Sequence, residues 1–379
     1  MSCSQLHLLK QDKWLTGCLT WLPLLLVVMI WAIFSQGLAR DLPVGIVDLS
    51  HSETSRSLIR HLNASSTLKV AEHYSDSLSA KNALIENDVY AYIVIPRDFD
   101  KQIAKKTLPQ VTTFYNSQYI LIGRLINSAV LQSTGYFDAS IETGKQLAKG
   151  NQVLDAAMGK AVTIRTQITP LYNLNTNYAQ FLVSAIVPAI WQIVIVAGTI
   201  MILAANHRHA NFSLHEWLGN APLRSLTDLL SRFFAVFALQ GGLFLFWFFY
   251  ILDWPQHGNL FVIIFAQWLT IIACMIMGAL FYFLTLDAAR AMSFAGAFTA
   301  PSFAFMGITF PVTDMGFLAQ TWRNLLPISH YIEVQVAQTN YAQDAFTSIS
   351  RLLPTLGYVL PLILIGLIIN KHMTKEVTA

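Results

Sequence analysis

His207, His209 and His215 fall within a nine-residue stretch, and Glu216 follows at once. Imidazoles are common metal ligands, but no metal site is expected here. A solvated loop beside anionic lipid accounts for the cluster as well. Other chemistries are missing. The chain has no H-E-x-x-H, no G-x-S-x-G and no carboxylate pair within an apolar run, so no hydrolase motif marks a reaction centre. Nor is there a G-x-x-x-x-G-K-[ST] phosphate loop: Gly144-Lys145-Gln146 and Gly159-Lys160-Ala161 fail where the loop needs a hydroxyl. Any ATP driving this protein must be bound by a separate subunit. No nucleic-acid partner is expected.

The segment Ser213-Leu-His-Glu-Trp-Leu-Gly-Asn-Ala-Pro-Leu-Arg224 combines an acidic residue, an interfacial Trp and a Pro-marked turn, and 225–231 continues as a polar-faced helix. Such a segment can lie along a membrane surface and receive force from a soluble partner. An ordinary amphipathic loop anchored by Trp217 fits it too.

Six long runs free of Asp, Glu, Lys and Arg must position that segment: 14–39, 166–207, 233–252, 254–286, 291–313 and 352–370. Each suffices for a helix across ~30 Å of hydrocarbon, which takes roughly 20 residues, since a helix satisfies its own backbone in lipid. Composition agrees, with 54% hydrophobic and 12% charged residues, against roughly 25% charged in soluble domains. The chain reads as an α-helical membrane protein of six transmembrane helices with an inserted α/β extracytoplasmic domain. The expected transmembrane helices are 18–39, 178–204, 229–252, 259–286, 291–312 and 352–370. Between them lie an N-terminal segment 1–17, the inserted domain 40–177, a cytoplasmic segment 205–228, external short helices over 313–350 and a tail 371–379. A cleaved signal peptide is the alternative for the first run, given Lys10, Lys13 and Gly37-Leu38-Ala39. Its apolar part, 18–34, is longer than the roughly 7 to 15 residues of a signal core.

Basic residues set the orientation. With the N-terminus cytoplasmic, the inner short loops hold Lys10, Lys13, Arg208, Arg224, Arg232, Arg290, Lys371 and Lys375, and the outer ones only Arg323 and Arg351. Both termini are then cytoplasmic, and 40–177 is extracytoplasmic. Cys3, Cys18 and Cys274 all fall outside that domain, which must fold without disulfides. Its sequence predicts strands at 43–48, 68–71, 90–95 and 111–115, with helices over 52–62 and 77–86, hence a small, mostly parallel sheet covered by helices. Beyond Tyr119 the pattern is helical for roughly 45 residues, up to ~70 Å if unbroken, with breaks expected at Gly135, Gly144, Gly150 and Gly159. That stretch suits a solvated stalk or a docking surface for a periplasmic partner.

No span centre carries an ionisable residue, which argues against proton or ion coupling. The polar groups there are chiefly Gln192, Gln240, Gln267, Ser293, Thr299 and Ser302. Aromatics are many, including Phe244, Trp247, Phe248, Phe249, Phe281, Tyr282 and Phe283. They suit a hydrophobic or amphiphilic cargo such as a drug or lipid, and equally plain lipid-facing and core packing.

One span, a large exported α/β domain and five further spans resemble the permease subunit of type-2 ABC exporters, in the branch with a large periplasmic domain. Gly45-Ile-Val-Asp48 resembles the family's opening strand, and Tyr92-Ile-Val-Ile-Pro96 with Asp98-Phe99 its "I-V-I-P-x-D-F" stretch. Tyr172-Asn173 and Val187-Pro188 are similar to its Y-N-P and V-P-G, with Leu174 and Ala189 as departures. Glu216, Leu218, Pro222, Leu223 and Arg224 match its G-T-x-E-x-L-x-x-x-P-x-x-R, while Ser213 and Leu214 replace the Gly-Thr. Gly307-Ile-Thr-Phe-Pro311 resembles its "S-G-x-x-F-P", and Leu326-Pro327-Ile-Ser-His-Tyr331 its "P-L-T-Y" element. Between these, Met315, Leu318, Ala319, Trp322, Leu325 and Leu326 follow one helical face.

The resemblance implies a dimer of two copies in the bacterial inner membrane, each bound to an ABC ATPase subunit that holds ATP and Mg, with no cofactor in this chain and a periplasmic adaptor as a further partner. It makes 205–228 a coupling segment, with Glu216, Trp217, Leu218, Pro222 and Arg224 as the ATPase-coupling residues. Gly307, Phe310, Pro311, Trp322 and Pro327 become an external gate. Two other classes stay open: a receptor or assembly scaffold acting through the exported domain, and a secondary transporter.

Overall fold

The computed structural model describes residues 2–37, 39–105, 107–148, 154, 158, 171–173 and 177–378. Leu174, Gly150, Gly159 and, apart from Leu154 and Met158, the helical run expected beyond residue 148 lie outside the described residues. The chain divides into two compact units, Leu38–Thr169 and Met1–Gly37 with Pro170–Ala379.

In the first unit, four strands form one sheet, β1 (Leu42–Asp48), β2 (Leu68–His73), β3 (Ala91–Ile95) and β4 (Thr112–Tyr115), in the order β2-β1-β3-β4. β1 pairs parallel with β2 and β3, and β4 closes the sheet antiparallel to β3. Alternation of side chains along central β1 feeds two cores. Val44 and Ile46 pack with Leu58 and Leu62 of α4 (Glu53–Asn63) and with Ile126 and Phe137 of α7 (Ile120–Ala148), whereas Val47 packs with Ala80 of α5 (Ser77–Glu86) and Tyr92. Asp48 ends β1 by accepting hydrogen bonds from Ser50 N, His51 N and the Ser55 hydroxyl. The breaks expected at Gly135 and Gly144 are absent, and α7 runs through both. A Cβ placed at either position would meet nothing within 4 Å, so no neighbour crowds the helix there, and an interior glycine costs a helix only about 1 kcal/mol.

The second unit is a helical bundle. Four helical segments, Tyr178–His209, Pro222–Ile251, Leu260–Thr285 and Ala345–Glu376, are long and apolar enough to cross a membrane. A fifth crossing exists if the pair α2 (Lys13–Leu19) and α3 (Trp21–Phe34), bent by 53°, counts as one span. Pro23 explains the bend: it lacks an N–H, so the Leu19 carbonyl four residues earlier loses its helical donor. Gln240, on the helix Pro222–Phe246, donates its side-chain amide to that carbonyl at 2.9 Å. Pro188 creates the same vacancy at Ser184 inside Tyr178–His209, and Gln335 donates to it at 2.8 Å from the helix Pro327–Thr339. Two glutamines thus repair two proline breaks. Replacing Gln240 by Leu is expected to lower the thermal midpoint of the detergent-purified chain by a few degrees, for a loss of about 1–3 kcal/mol. An unchanged midpoint would refute the repair.

The expected fifth span, 291–312, is not one helix. Helix Ala288–Thr299 ends before Pro301, a short turn Ser302–Phe305 follows, and the chain then leaves helical geometry. Twelve residues cover about 18 Å, short of the ~30 Å hydrocarbon. Helices Phe317–Asn324, Pro327–Thr339 and Ala345–Ser350 occupy the region before the last span. That last span ends as helix Val359–Thr378, which carries its final two turns past Asn370.

Candidate functional site

Helix Tyr178–His209 ends on His207, Arg208 and His209, and the Arg208 guanidinium complements its negative C-terminal dipole. The turn uses two consecutive left-handed residues, Asn211 (φ 53°) and Phe212 (φ 62°). Ser213 then caps helix Leu214–Leu218 by accepting from Glu216 N at 3.3 Å. Gly219 closes it at φ 62°, ψ −154°, a conformation essentially open to glycine alone. The Ser225 hydroxyl donates to the Leu218 carbonyl at 2.8 Å, and Pro222 starts the next helix at its first turn.

This short helix is two-sided. Leu214 and Leu218 are fully buried. Trp217 stacks between His207 (5.6 Å, 24°) at the end of Tyr178–His209 and Phe283 (5.9 Å, 18°) on Leu260–Thr285. Glu216 and Arg224 are exposed, while Pro222 is half-buried. The residues expected to face a partner therefore divide: Glu216 and Arg224 reach solvent, whereas Trp217 and Leu218 grip the bundle. His207 is itself packing, since it is buried and shares a 2.8 Å hydrogen bond with Tyr282 Oη. Among the described residues no group of His, Cys, Asp and Glu is close enough to hold a metal, so the histidine cluster does not form a site.

Sequence reasoning missed Glu376. Its carboxylate accepts from Leu214 N (3.0 Å), His215 N (3.1 Å) and the Ser213 hydroxyl (3.4 Å), placing a negative charge on the N-terminus of the short helix. The one signal available was that Glu376 is the only Asp or Glu after Asp344. Further ties gather at the same end: Arg208 pairs with Asp12 at 3.2 Å, and Gln5 donates to Asn206 Oδ1 at 2.6 Å. Replacing Glu376 by Ala removes a cap worth about 1 kcal/mol. Hydrogen exchange at Leu214 and His215 should then speed up roughly fivefold, read by mass spectrometry of a peptide spanning 212–219. Unaltered exchange would dismiss the capping role.

The residues expected as an external gate differ in burial. Gly307 sits at φ 89°, where a Cβ would also meet Val312 Cγ2 at 2.6 Å. Phe310 and Pro311 are exposed. Trp322 is half-buried, edge-on to Phe298 at 6.1 Å, and Pro327 is buried at the start of Pro327–Thr339. The single apolar face expected from Met315 to Leu326 is split: Met315 and Leu326 are buried, but Leu318 and Leu325 are exposed, because the helix covers only Phe317–Asn324. What joins this region is polar. Buried Arg323 pairs with Glu333, His330 Nε2 donates to the Asn324 carbonyl at 3.1 Å, and Tyr358 Oη donates to the Leu325 carbonyl at 2.6 Å. Burial lowers the His330 pKa, so the ring is held toward its neutral form with the proton on that nitrogen. Gln192 ties the turn Ser302–Phe305 to helix Pro327–Thr339, donating to Ser302 Oγ at 2.8 Å and accepting from Ile328 N at 3.1 Å. The span glutamines are therefore engaged by the fold.

A family model described as "ABC-2 family transporter protein" matches residues 13–370. No curated protein and no solved structure matched the chain.

Proposed function

The chain belongs to the ABC-2 transporter family, and from that membership we propose that it is the transmembrane permease of an ATP-driven exporter. In this family the ATPase sits on a partner subunit, and the permease is the transport subunit of a multi-pass membrane complex. The proposal adds that the cargo is hydrophobic or amphiphilic, that two copies pair, that both termini are cytoplasmic in a bacterial inner membrane, and that 40–177 is periplasmic and open to an adaptor. Residues 291–312 would then form a broken rather than a continuous fifth crossing.

The observation that carries this reading is the short helix Leu214–Leu218. It offers Glu216 to solvent while Trp217 is stacked between two long helices of the bundle. Pressure from a closing ATPase on Glu216 and Arg224 would pass through a rigid indole into both helices. The free energy must come from the partner, because two states of one chain shift population only through differential contacts. Gentle isolation from the native membrane should bring down an ABC ATPase with the chain, and ATP should be required for export. A preparation that never carries such a subunit, or export that persists without nucleotide, would overturn the proposal.

A further inference from the structure

A cleft of about 320 Å³ lies in the bundle beside the start of helix Tyr178–His209, the π-turn Trp247–Ile251 and the end of Pro327–Thr339. Its floor and walls include Phe248, Phe249 and Trp254, and Phe248 stacks on Trp254 at 5.0 Å. Phe181 and Tyr341 stand exposed where the cleft meets the outside of the bundle. No Asp, Glu, Lys, Arg or His lines it among the described residues.

The polar groups of the wall are mostly spent. Asn173 gives both side-chain atoms to the backbone of Asn177. Gln335 is the buried exception. Only 3% exposed, it spends its Nε2 on the Ser184 carbonyl freed by Pro188, and its Oε1 has no hydrogen-bond partner among the described residues. A buried acceptor left bare costs about 1–3 kcal/mol, so a bound donor there gains what the fold alone lacks. The other wall polar groups, Gln180, Ser184, Thr339 and Asn340, are neutral as well. An uncharged wall gives no compensation for the desolvation of an ionic headgroup.

We infer that this cleft binds the neutral, hydroxyl-bearing headgroup of an amphiphile, with one hydroxyl donating to Gln335 Oε1 and apolar faces of the molecule against Phe248, Phe249 and Trp254. The inference narrows the cargo class and rests on the export reading above. Ring faces and a neutral acceptor discriminate by shape and hydroxyl placement rather than by charge.

The test uses the full chain in phosphatidylcholine nanodiscs, without nucleotide or ATPase. It is exposed to photoreactive alkyl β-glucoside, alkyl sulfate and alkyltrimethylammonium of equal chain length, and crosslinked peptides are mapped by mass spectrometry. The glucoside should label the cleft peptides in preference to both ionic probes. Its half-saturating concentration should rise roughly fivefold in Gln335→Leu and in Tyr341→Ala. Gln335→Leu also orphans the Ser184 carbonyl and can fail to fold; Tyr341→Ala carries no such burden. Equal labelling by all three probes, crosslinks only outside the cleft, or unchanged saturation in Tyr341→Ala would each overturn the inference. Because binding here needs no second subunit, such a failure leaves ATP-driven export standing. An absent ATPase, conversely, would not alter the labelling.

Discussion

Replacing Trp217 by Ala should cut ATP-driven export by roughly tenfold or more while the ATPase stays attached. The indole is half-buried between His207 and Phe283. Truncating a fully buried Trp costs about 3–5 kcal/mol, so its partial burial here puts the loss nearer 2 kcal/mol. That loss falls on the joint between the short helix and two long helices, and every 1.4 kcal/mol removed from coupling is a factor of ten. Glu216→Lys is the contrasting variant. Its side chain is exposed, so the fold survives, but charge reversal at the presented surface should weaken retention of the ATPase itself. The two measurements are ATPase co-isolation and ATP-dependent export into inverted vesicles. If Trp217→Ala exports normally, or if both variants lose the ATPase alike, the short helix is not the lever described.

Arg323→Met should destabilise the chain by about 2–4 kcal/mol, toward the lower part of the range for breaking a buried ion pair. The Arg323 side chain is only 6% exposed and its partner Glu333 31%. Water reaches Glu333 in part, which moderates the cost of leaving it alone. The pair ties helix Phe317–Asn324 to Pro327–Thr339, so protease cleavage between residues 306 and 326 should accelerate. The double variant Arg323→Met with Glu333→Met should recover most of the loss, since a buried pair replaced by apolar groups is often neutral. A double variant as unstable as the single one would place the effect in packing instead.

Much of the fold was legible because its causes are local. Alternating apolar residues and the Pro, Gly and Asp turns marked the four strands. The capping pair Ser52 and Ser55 starts α4 one residue from where the apolar spacing placed it. The charge-free runs located the long helices for the same reason: in lipid, backbone satisfaction depends on length and composition alone. The run 291–313 misled because a charge count is blind to Pro301, which ends a helix whatever the polarity of its neighbours. Within the candidate site, Glu216 and Arg224 were readable as exposed polar residues beside a membrane. That Trp217 faces inward was not, since an interfacial Trp and a wedged Trp have the same sequence signature.

The sequence alone determined the membrane class, the inserted α/β unit, the lack of an ATP-binding loop and the position of every proline that opens a carbonyl. Tertiary structure decided which groups answer those openings. Gln240 meets Leu19 across 221 residues and Gln335 meets Ser184 across 151, while Glu376 caps a helix that begins 162 residues before it. A vacancy in a helix is set by the residues within one turn of it, but its donor is whatever the packed bundle brings within 3 Å. That pairing is a property of the assembled chain and of no segment within it.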